Sequence, residues 1–145
     1  MIARIEPASP EVLTELEGWA YEPPYDFYDG RQEPIRDPDR YFAGFDEAGG
    51  LIGHYYFERQ GDVLVYGLGL RPELTGRGLG LEFFRAGLEF GRARFRPERI
   101  VLAVAAFNER AITVYERAGF RVIGRHVRTF PEFGDVEFVD MEERC

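Results

Sequence analysis

Three glycines at alternate positions, Gly76, Gly78 and Gly80, follow an apolar segment and precede a helical pattern. Glycine lets the backbone approach a ligand closely and point several N–H groups in one direction. The positive end of the helix that follows would strengthen the attraction for an anion. The loop therefore predicts a cradle for a phosphate group, and a pyrophosphate is its natural occupant. The alternative is a tight strand-to-helix turn without a ligand.

Three types of phosphate-binding loop can be compared with this sequence. A Walker loop requires Gly-Lys-Ser/Thr, which is missing here. A dinucleotide loop follows the first strand with the order G-x-G-x-x-G, whereas these glycines follow a predicted β-meander. The third option is a coenzyme A loop, and the turn without a ligand stays open beside it.

A second group of residues lies further along the chain. Asn108 and Tyr115 are seven residues apart, which is two turns of a helix, so both point to one side. Ala111 between them is small and leaves room for a cofactor. A tyrosine phenol can give a proton to a leaving group. The alternative is that Asn108 only caps the helix and Tyr115 is a core aromatic.

A third group combines aromatic rings with acidic residues near the N-terminus, and such a mixture suits a cationic amine. Its aromatic members are Trp19, Tyr21, Tyr25, Phe27 and Tyr28. The segment Phe130-Pro131-Glu132-Phe133-Gly134 could line the same cleft. The alternative is that these rings simply cover a sheet.

The elements that would position these residues follow from the hydrophobic patterns and turn signals. The predicted strands span residues 2–5, 41–45, 51–58, 62–70, 99–105, 122–130 and 135–141. Ser9 caps a predicted helix over 10–19, and two further helices are predicted over 78–94 and 108–118. Residues 21–39 are rich in Pro, Asp and Tyr, which predicts a long loop with room for a short helix. This order predicts a layered, mixed α/β fold in which an antiparallel meander leads into a parallel crossover. The strand at 99–105 lacks alternation, so we expect both of its faces to be covered.

Composition limits the classes of function. The chain has 145 residues, the usual size of one domain. Its net charge of -8 argues against nucleic-acid binding. A basic stretch at 63–128 between acidic flanks suggests an anionic ligand beside a surface that favours cations, unless the uneven charge has no meaning. Cys145 cannot form an internal disulfide, and no leader or membrane span is recognisable, so a cytoplasmic protein is expected.

Two segments carry a resemblance to a known family. Gly-Arg-Gly-Leu-Gly follows Arg-Pro-Glu, and Asn108-Glu-Arg-Ala-Ile-Thr-Val-Tyr-Glu-Arg-Ala-Gly-Phe120 begins about 30 residues later. They resemble motifs A and B of the GNAT superfamily of N-acetyltransferases, the second in the form N-x-x-A-x-x-x-Y-x-x-x-G-F. The resemblance implies one domain over 1–145, with a mixed, mostly antiparallel sheet of six to seven strands. It also implies helices on both faces and a V-shaped splay between the fourth and fifth strands.

The resemblance also implies roles for individual residues. Backbone N–H groups in the loop Thr75, Gly76, Arg77, Gly78, Leu79 and Gly80 would hold the pyrophosphate of acetyl-coenzyme A. Thr75 stands where the family usually has Gln or Arg, and its hydroxyl can cap the turn. Leu68 and Leu70 would give backbone hydrogen bonds to the pantetheine arm and the acetyl carbonyl. Asn108 and Ala111 would lie along the arm, and Tyr115 near the thioester sulfur.

The implied function is transfer of an acetyl group to the primary amine of a small molecule or peptide, by direct attack on the thioester and without a metal. Residues 1–40 would face the acceptor, with contacts from Trp19, Tyr21, Tyr25 and Tyr28, and residues 62–120 would bind the cofactor. Members of the family are often dimers, so the resemblance also allows a homodimer. The general base stays open between Glu58, His54, Asp26 and solvent. Two alternatives are a coenzyme A-binding sensor without turnover and a binder of nucleotides or phosphopeptides.

Overall fold

A computed structural model describes residues 2–23, 25, 35 and 37–145. Within these residues, seven strands form one sheet in the order β1-β2-β3-β4-β5-β7-β6. The strands are β1 Arg4–Pro7, β2 Tyr41–Phe45, β3 Leu51–Gln60, β4 Val63–Leu70, β5 Arg99–Ala105, β6 Arg121–Phe130 and β7 Gly134–Arg144. The α-helices of the described part are α1 Pro10–Glu17, α2 Gly80–Phe95 and α3 Glu109–Arg117. In the same part, no helix is long and apolar enough to cross a membrane.

The sheet divides between β4 and β5. These two strands run parallel, whereas the other neighbouring strands pair antiparallel. The β4–β5 pairing runs from Val63↔Arg99 to Val65↔Val101 and ends there, although both strands continue. A gap therefore opens between residues 66–70 and 102–105. This arrangement confirms the predicted mixed sheet with a splay between the fourth and fifth strands.

Helices cover both faces of the sheet, as predicted. Neighbouring residues of a strand point to opposite faces. Phe42 of β2 packs in the main core cluster with Phe83 of α2, whereas Ala43 packs in a second cluster with Leu16 of α1. We call these sides the α2 face and the α1 face. The helix α3 also lies on the α2 face, because Ala111 and Tyr115 pack against the main cluster.

The helix α2 lies close to the strands below it. Its buried residues are Phe83, Phe84, Gly87, Leu88 and Gly91, which is the face that its periodicity predicts. A Cβ atom at Gly87 would lie 2.1 Å from Oη of Tyr66. That hydroxyl donates a hydrogen bond to the carbonyl of Phe84 at 2.8 Å. Glycine in this helix thus brings a strand tyrosine into contact with the helix backbone.

Two predictions require correction. The helix α2 begins at Gly80 rather than at Gly78, because Gly76 and Gly78 have φ of 73° and 76°, which a right-handed helix does not accept. The expectation that β5 is covered on both faces is wrong. Its side chains alternate, with Leu102 buried and Ala103 exposed, since α1 packs over Ala43 and Leu51 and leaves β5 open on that face.

Candidate active site

The backbone of β4 faces the gap at Leu68 and Leu70. The N–H of Arg71 donates to the carbonyl of Ile52 in β3 at 2.8 Å. Backbone groups of an antiparallel strand alternate between its two edges, so the N–H and C=O of Leu70 and Leu68 turn away from β3. The hydroxyl of Tyr21 donates to this Leu70 carbonyl at 2.7 Å, as that direction requires. The edge of β4 therefore presents hydrogen-bonding groups to the gap.

The glycine loop lies at the mouth of the gap and leads into α2. The hydroxyl of Thr75 donates to the carbonyl of Pro72 at 2.8 Å and closes the turn after β4. Among the described residues, no side chain caps the first N–H groups of α2, which begins after Leu79. In the described part of the chain, no atom lies within 4 Å of a Cβ built at Gly78. The loop thus combines N–H groups that lack a side-chain cap within the described part, a helix N-terminus and open space, which suits an anion.

The helix α3 lies beside this loop, since Val114 is 3.7 Å from a Cβ built at Gly80. The side-chain oxygen of Asn108 accepts from the N–H of Ala111 at 3.2 Å, so Asn108 caps α3 as predicted. The ring of Tyr115 stacks on Phe84 with 4.4 Å between centroids. Burial raises the pKa of Tyr66 well above its usual range, with smaller contributions from Tyr55 and Tyr115. The ring of Phe84 also lies 5.2 Å from that of Tyr66, so Tyr115 and Tyr66 share this neighbour beside the end of the β4–β5 pairing.

The N-terminal aromatic residues have different surroundings. Trp19 is 7% exposed and packs with Leu16 in the α1 cluster, so little of its indole is open to a ligand. Tyr21 bonds to the β4 side of the gap. Tyr25 lies on the opposite side, with its ring 6.4 Å from that of Phe107. Tyr28, Phe27 and Asp26 lie outside the described residues.

The candidate bases that the structure describes differ in protonation and in position. His54 is buried between the rings of Trp19 and Tyr41, and burial lowers its pKa to about 4. Among the described residues, its Nδ1 has no hydrogen-bond partner. The strand register puts His54 opposite Gly69, the residue between Leu68 and Leu70 in β4. The His54 side chain lies on the α1 face.

Glu58 lies opposite Val65, at the last paired residue of β4 before the gap. The Tyr56 hydroxyl donates to its carboxylate at 2.7 Å, and Gln60 and Arg40 also bond to it. These bonds hold the pKa of Glu58 below its usual value. Both groups are thus unprotonated near neutral pH, but the carboxylate is engaged by three neighbours.

The sequence analysis did not identify one charged residue of this site, Arg110. The guanidinium of Arg110 lies 4.6 Å from the centre of the Tyr25 ring. Its Nη1 would lie 3.6 Å from a Cβ at Gly76. Arg110 follows Asn108 by two residues, and its place in the basic stretch was the signal available. Only the tertiary structure brings it to the glycine loop.

Comparisons with known proteins agree with this geometry. A family model described as Acetyltransferase (GNAT) family matches residues 7–120. A mycothiol acetyltransferase of Mycolicibacterium gilvum is 32% identical over 133 residues, covering 87% of this chain and 43% of the relative. One of Salinispora arenicola is 37% identical over 103 residues, covering 67% of this chain and 34% of the relative. The chain spans less than half the length of these relatives.

Solved structures share the fold. The spermidine N-acetyltransferase of Vibrio cholerae, in complex with CoA and spermine, superposes with a TM-score of 0.74 at 20% identity, covering 97% of this chain and 94% of that chain. A GNAT-family acetyltransferase of Bacillus anthracis has a TM-score of 0.75 at 16% identity, covering 99% and 96%. At these identities the likeness concerns the fold alone.

Proposed function

The chain belongs to the GNAT family of acetyltransferases, and we propose that it transfers the acetyl group of acetyl-coenzyme A to a primary amine. The observation that carries this proposal is the gap between β4 and β5, which opens after Val65↔Val101 beside the glycine loop. A gap in a sheet exposes backbone donors and acceptors to a ligand, and the helix N-terminus next to it favours phosphate.

The residues present fit coenzyme A. The N–H groups of the loop from Thr75 to Gly80 would bind the pyrophosphate, because Gly76 and Gly78 take the left-handed conformation and Gly78 leaves the space open. The backbone of Leu68 and Leu70 would bind the pantetheine arm along the edge of β4. Asn108 and Ala111 would border the arm from α3, and the phenol of Tyr115 would lie near the sulfur.

The bound thioester supplies an activated acyl group, and the chain's own groups would do the rest. A backbone N–H near Leu68 would donate to the carbonyl oxygen as negative charge develops there. Tyr115 would give its proton to the leaving sulfur. His54, with a pKa of about 4, is too weak a base to deprotonate an ordinary ammonium, and Glu58 is held by Tyr56 and Arg40. Asp26 lies outside the described residues, and of the other candidates we assign the amine proton to solvent.

The acceptor is proposed to be an amine on a small molecule or peptide. Tyr21 and Tyr25 flank the gap, and acidic residues dominate the N-terminal part of the chain, which favours a cation. The names of the relatives mention mycothiol for the curated relatives and spermidine for one solved structure. Polyamines and the amine precursors of thiols therefore belong in an acceptor screen, and a homodimer and a cytoplasmic location stay predictions.

The first test is the thermal stability of the purified protein with acetyl-coenzyme A, ATP or NAD. At about 100 times the dissociation constant, a ligand adds about 2.7 kcal/mol, which raises Tm by several degrees. A shift with acetyl-coenzyme A alone supports the proposal. No shift with it, or a shift with ATP or NAD instead, contradicts the assignment of the loop and favours a nucleotide binder.

Turnover separates the enzyme from a coenzyme A-binding sensor. Thiol release from acetyl-coenzyme A is measured with a panel of polyamines, amino sugars, amino acids and peptides. Release that depends on one class of amine, with the acetylated product identified by mass, supports the enzyme. Tight binding without release for every amine in the panel favours the sensor.

A further inference from the structure

Arg110 lies between the two halves of the proposed site. Its Nη1 approaches Gly76 in the glycine loop, at 3.6 Å from the position of a Cβ on that residue. Its guanidinium carbon lies 4.6 Å from the centre of the Tyr25 ring. Tyr25 belongs to the segment that the sequence assigns to the acceptor, and Gly76 to the loop assigned to the cofactor. One exposed cation therefore lies beside both.

A guanidinium can serve both neighbours at once. It is planar, so its face can stack on an aromatic ring while its edge donates N–H groups to an anion in the same plane. A lysine ammonium carries the same charge but has no flat face to stack. The Tyr25 ring also packs against Phe107, with 6.4 Å between centroids, and this second contact helps to hold the ring in place. The stack would thus hold Arg110 with its donors near the loop.

We propose that Arg110 binds a phosphate oxygen of coenzyme A beside Gly76 and couples this contact to the position of the Tyr25 ring. The inference rests on the proposed function, because it requires that the glycine loop holds the pyrophosphate. Its consequence is that cofactor binding fixes Arg110, which in turn fixes Tyr25 at the acceptor side of the gap. Acceptor recognition is then stronger after the cofactor has bound.

The test is a set of dissociation constants measured by calorimetry for coenzyme A and for pantetheine, which lacks the pyrophosphate. Arg110→Ala should weaken coenzyme A about tenfold, the low end for a hydrogen bond to a charged group, and leave pantetheine unchanged. Arg144→Ala is the matched control, because it removes the same charge from a distant site. Arg144 lies on β7 opposite Arg99, at the end of β5 that is remote from the gap. This variant should change neither constant.

The coupling is tested with a double-mutant cycle. Tyr25→Leu should weaken coenzyme A a few-fold when Arg110 is present and should have no effect with Arg110→Ala. Arg110→Lys should keep part of the affinity, since the charge remains, but should also abolish the effect of Tyr25→Leu. An equal effect of Tyr25→Leu in all three backgrounds would refute the coupling.

Failure of this inference is distinguishable from failure of the proposed function. Coenzyme A that does not bind the wild-type protein contradicts the proposed function before any variant is made. Tight binding to the wild type with an unchanged constant for Arg110→Ala overturns the phosphate contact alone. Equal losses for coenzyme A and pantetheine would also overturn it, because they would place the contribution of Arg110 away from the phosphates.

Discussion

Gly78→Glu would place a carboxylate in the proposed anion cradle. Gly78 has φ of 76°, and in the described part of the chain no atom lies within 4 Å of its Cβ position, so the side chain enters open space. Gly61 provides a matched control. It has φ of 63° in the turn between β3 and β4, and it is equally open among the described residues. Gly61→Glu therefore makes the same change of charge and backbone strain away from the glycine loop.

The two variants should lose similar stability. A non-glycine residue in the left-handed region costs roughly 1–2 kcal/mol. For 145 residues, at about 2.1 cal/mol/K of unfolding entropy per residue, this lowers Tm by about 3–7 °C. Their affinities for coenzyme A should differ. One carboxylate about 5 Å from one phosphate charge costs about 3 kcal/mol at an effective dielectric constant of 20. The dissociation constant for Gly78→Glu should therefore rise at least about 100-fold.

Scanning fluorimetry gives the two Tm values, and calorimetry gives the dissociation constants of the two variants and the wild type. The expected pattern is equal loss of Tm with loss of affinity in Gly78→Glu alone. Retained tight binding by Gly78→Glu would refute the assignment of the loop. Equal loss of affinity in both variants would attribute the effect to charge or strain in general, and would refute the local repulsion.

Three further predictions concern Tyr115, Gly87 and His54. Tyr115→Phe keeps the stack on Phe84 and removes the phenol, so the turnover number should fall about 100-fold with little change in cofactor affinity; equal loss of both would indicate packing. Gly87→Ala should lower the free energy of unfolding by about 2 kcal/mol, measured by denaturant titration, because overpacking against Tyr66 outweighs the better helix propensity of alanine. A variant more stable than the wild type would contradict the close approach of Tyr66 to α2. Since burial lowers the pKa of His54 to about 4, the unfolded chain binds its proton first as the pH falls. About 3 kcal/mol of stability should then be lost between pH 6.5 and 4, and His54→Leu should flatten that slope; a slope unchanged in the variant would rule out His54 as its source.

Much of the fold followed from local sequence patterns. The predicted strands 41–45 and 99–105 match β2 and β5. Ser9 and Asn108 cap α1 and α3 as predicted, because these side chains satisfy N–H groups that the helix itself cannot. Gly119 takes φ of 104° after α3, as its position after the helix indicates. These features depend on neighbours within a few residues, so the sequence reveals them directly.

The errors arose where a pattern depends on distant parts of the chain. The apolar run of β5 predicted cover on both faces, but cover depends on where α1 packs, and α1 packs over β2 and the start of β3. The predicted start of α2 at Gly78 ignored that Gly76 and Gly78 can both take left-handed angles before the helix begins. Trp19 was assigned to the acceptor as an aromatic ring, yet it is almost completely enclosed beneath α1. An acceptor contact for Trp19 stays a prediction that its burial does not favour.

The sequence by itself determined the family, the glycine loop, and the places of Asn108 and Tyr115, because these depend on residue types at short, fixed spacings. Only the tertiary structure decided which residues meet around the gap. The Tyr21 hydroxyl reaches Leu70 across 49 positions of the chain, and Arg110 lies between Gly76 and Tyr25. Such contacts depend on how the sheet twists apart after Val65 and on which helix packs on which face. These are properties of the whole packed chain, and no local pattern encodes them.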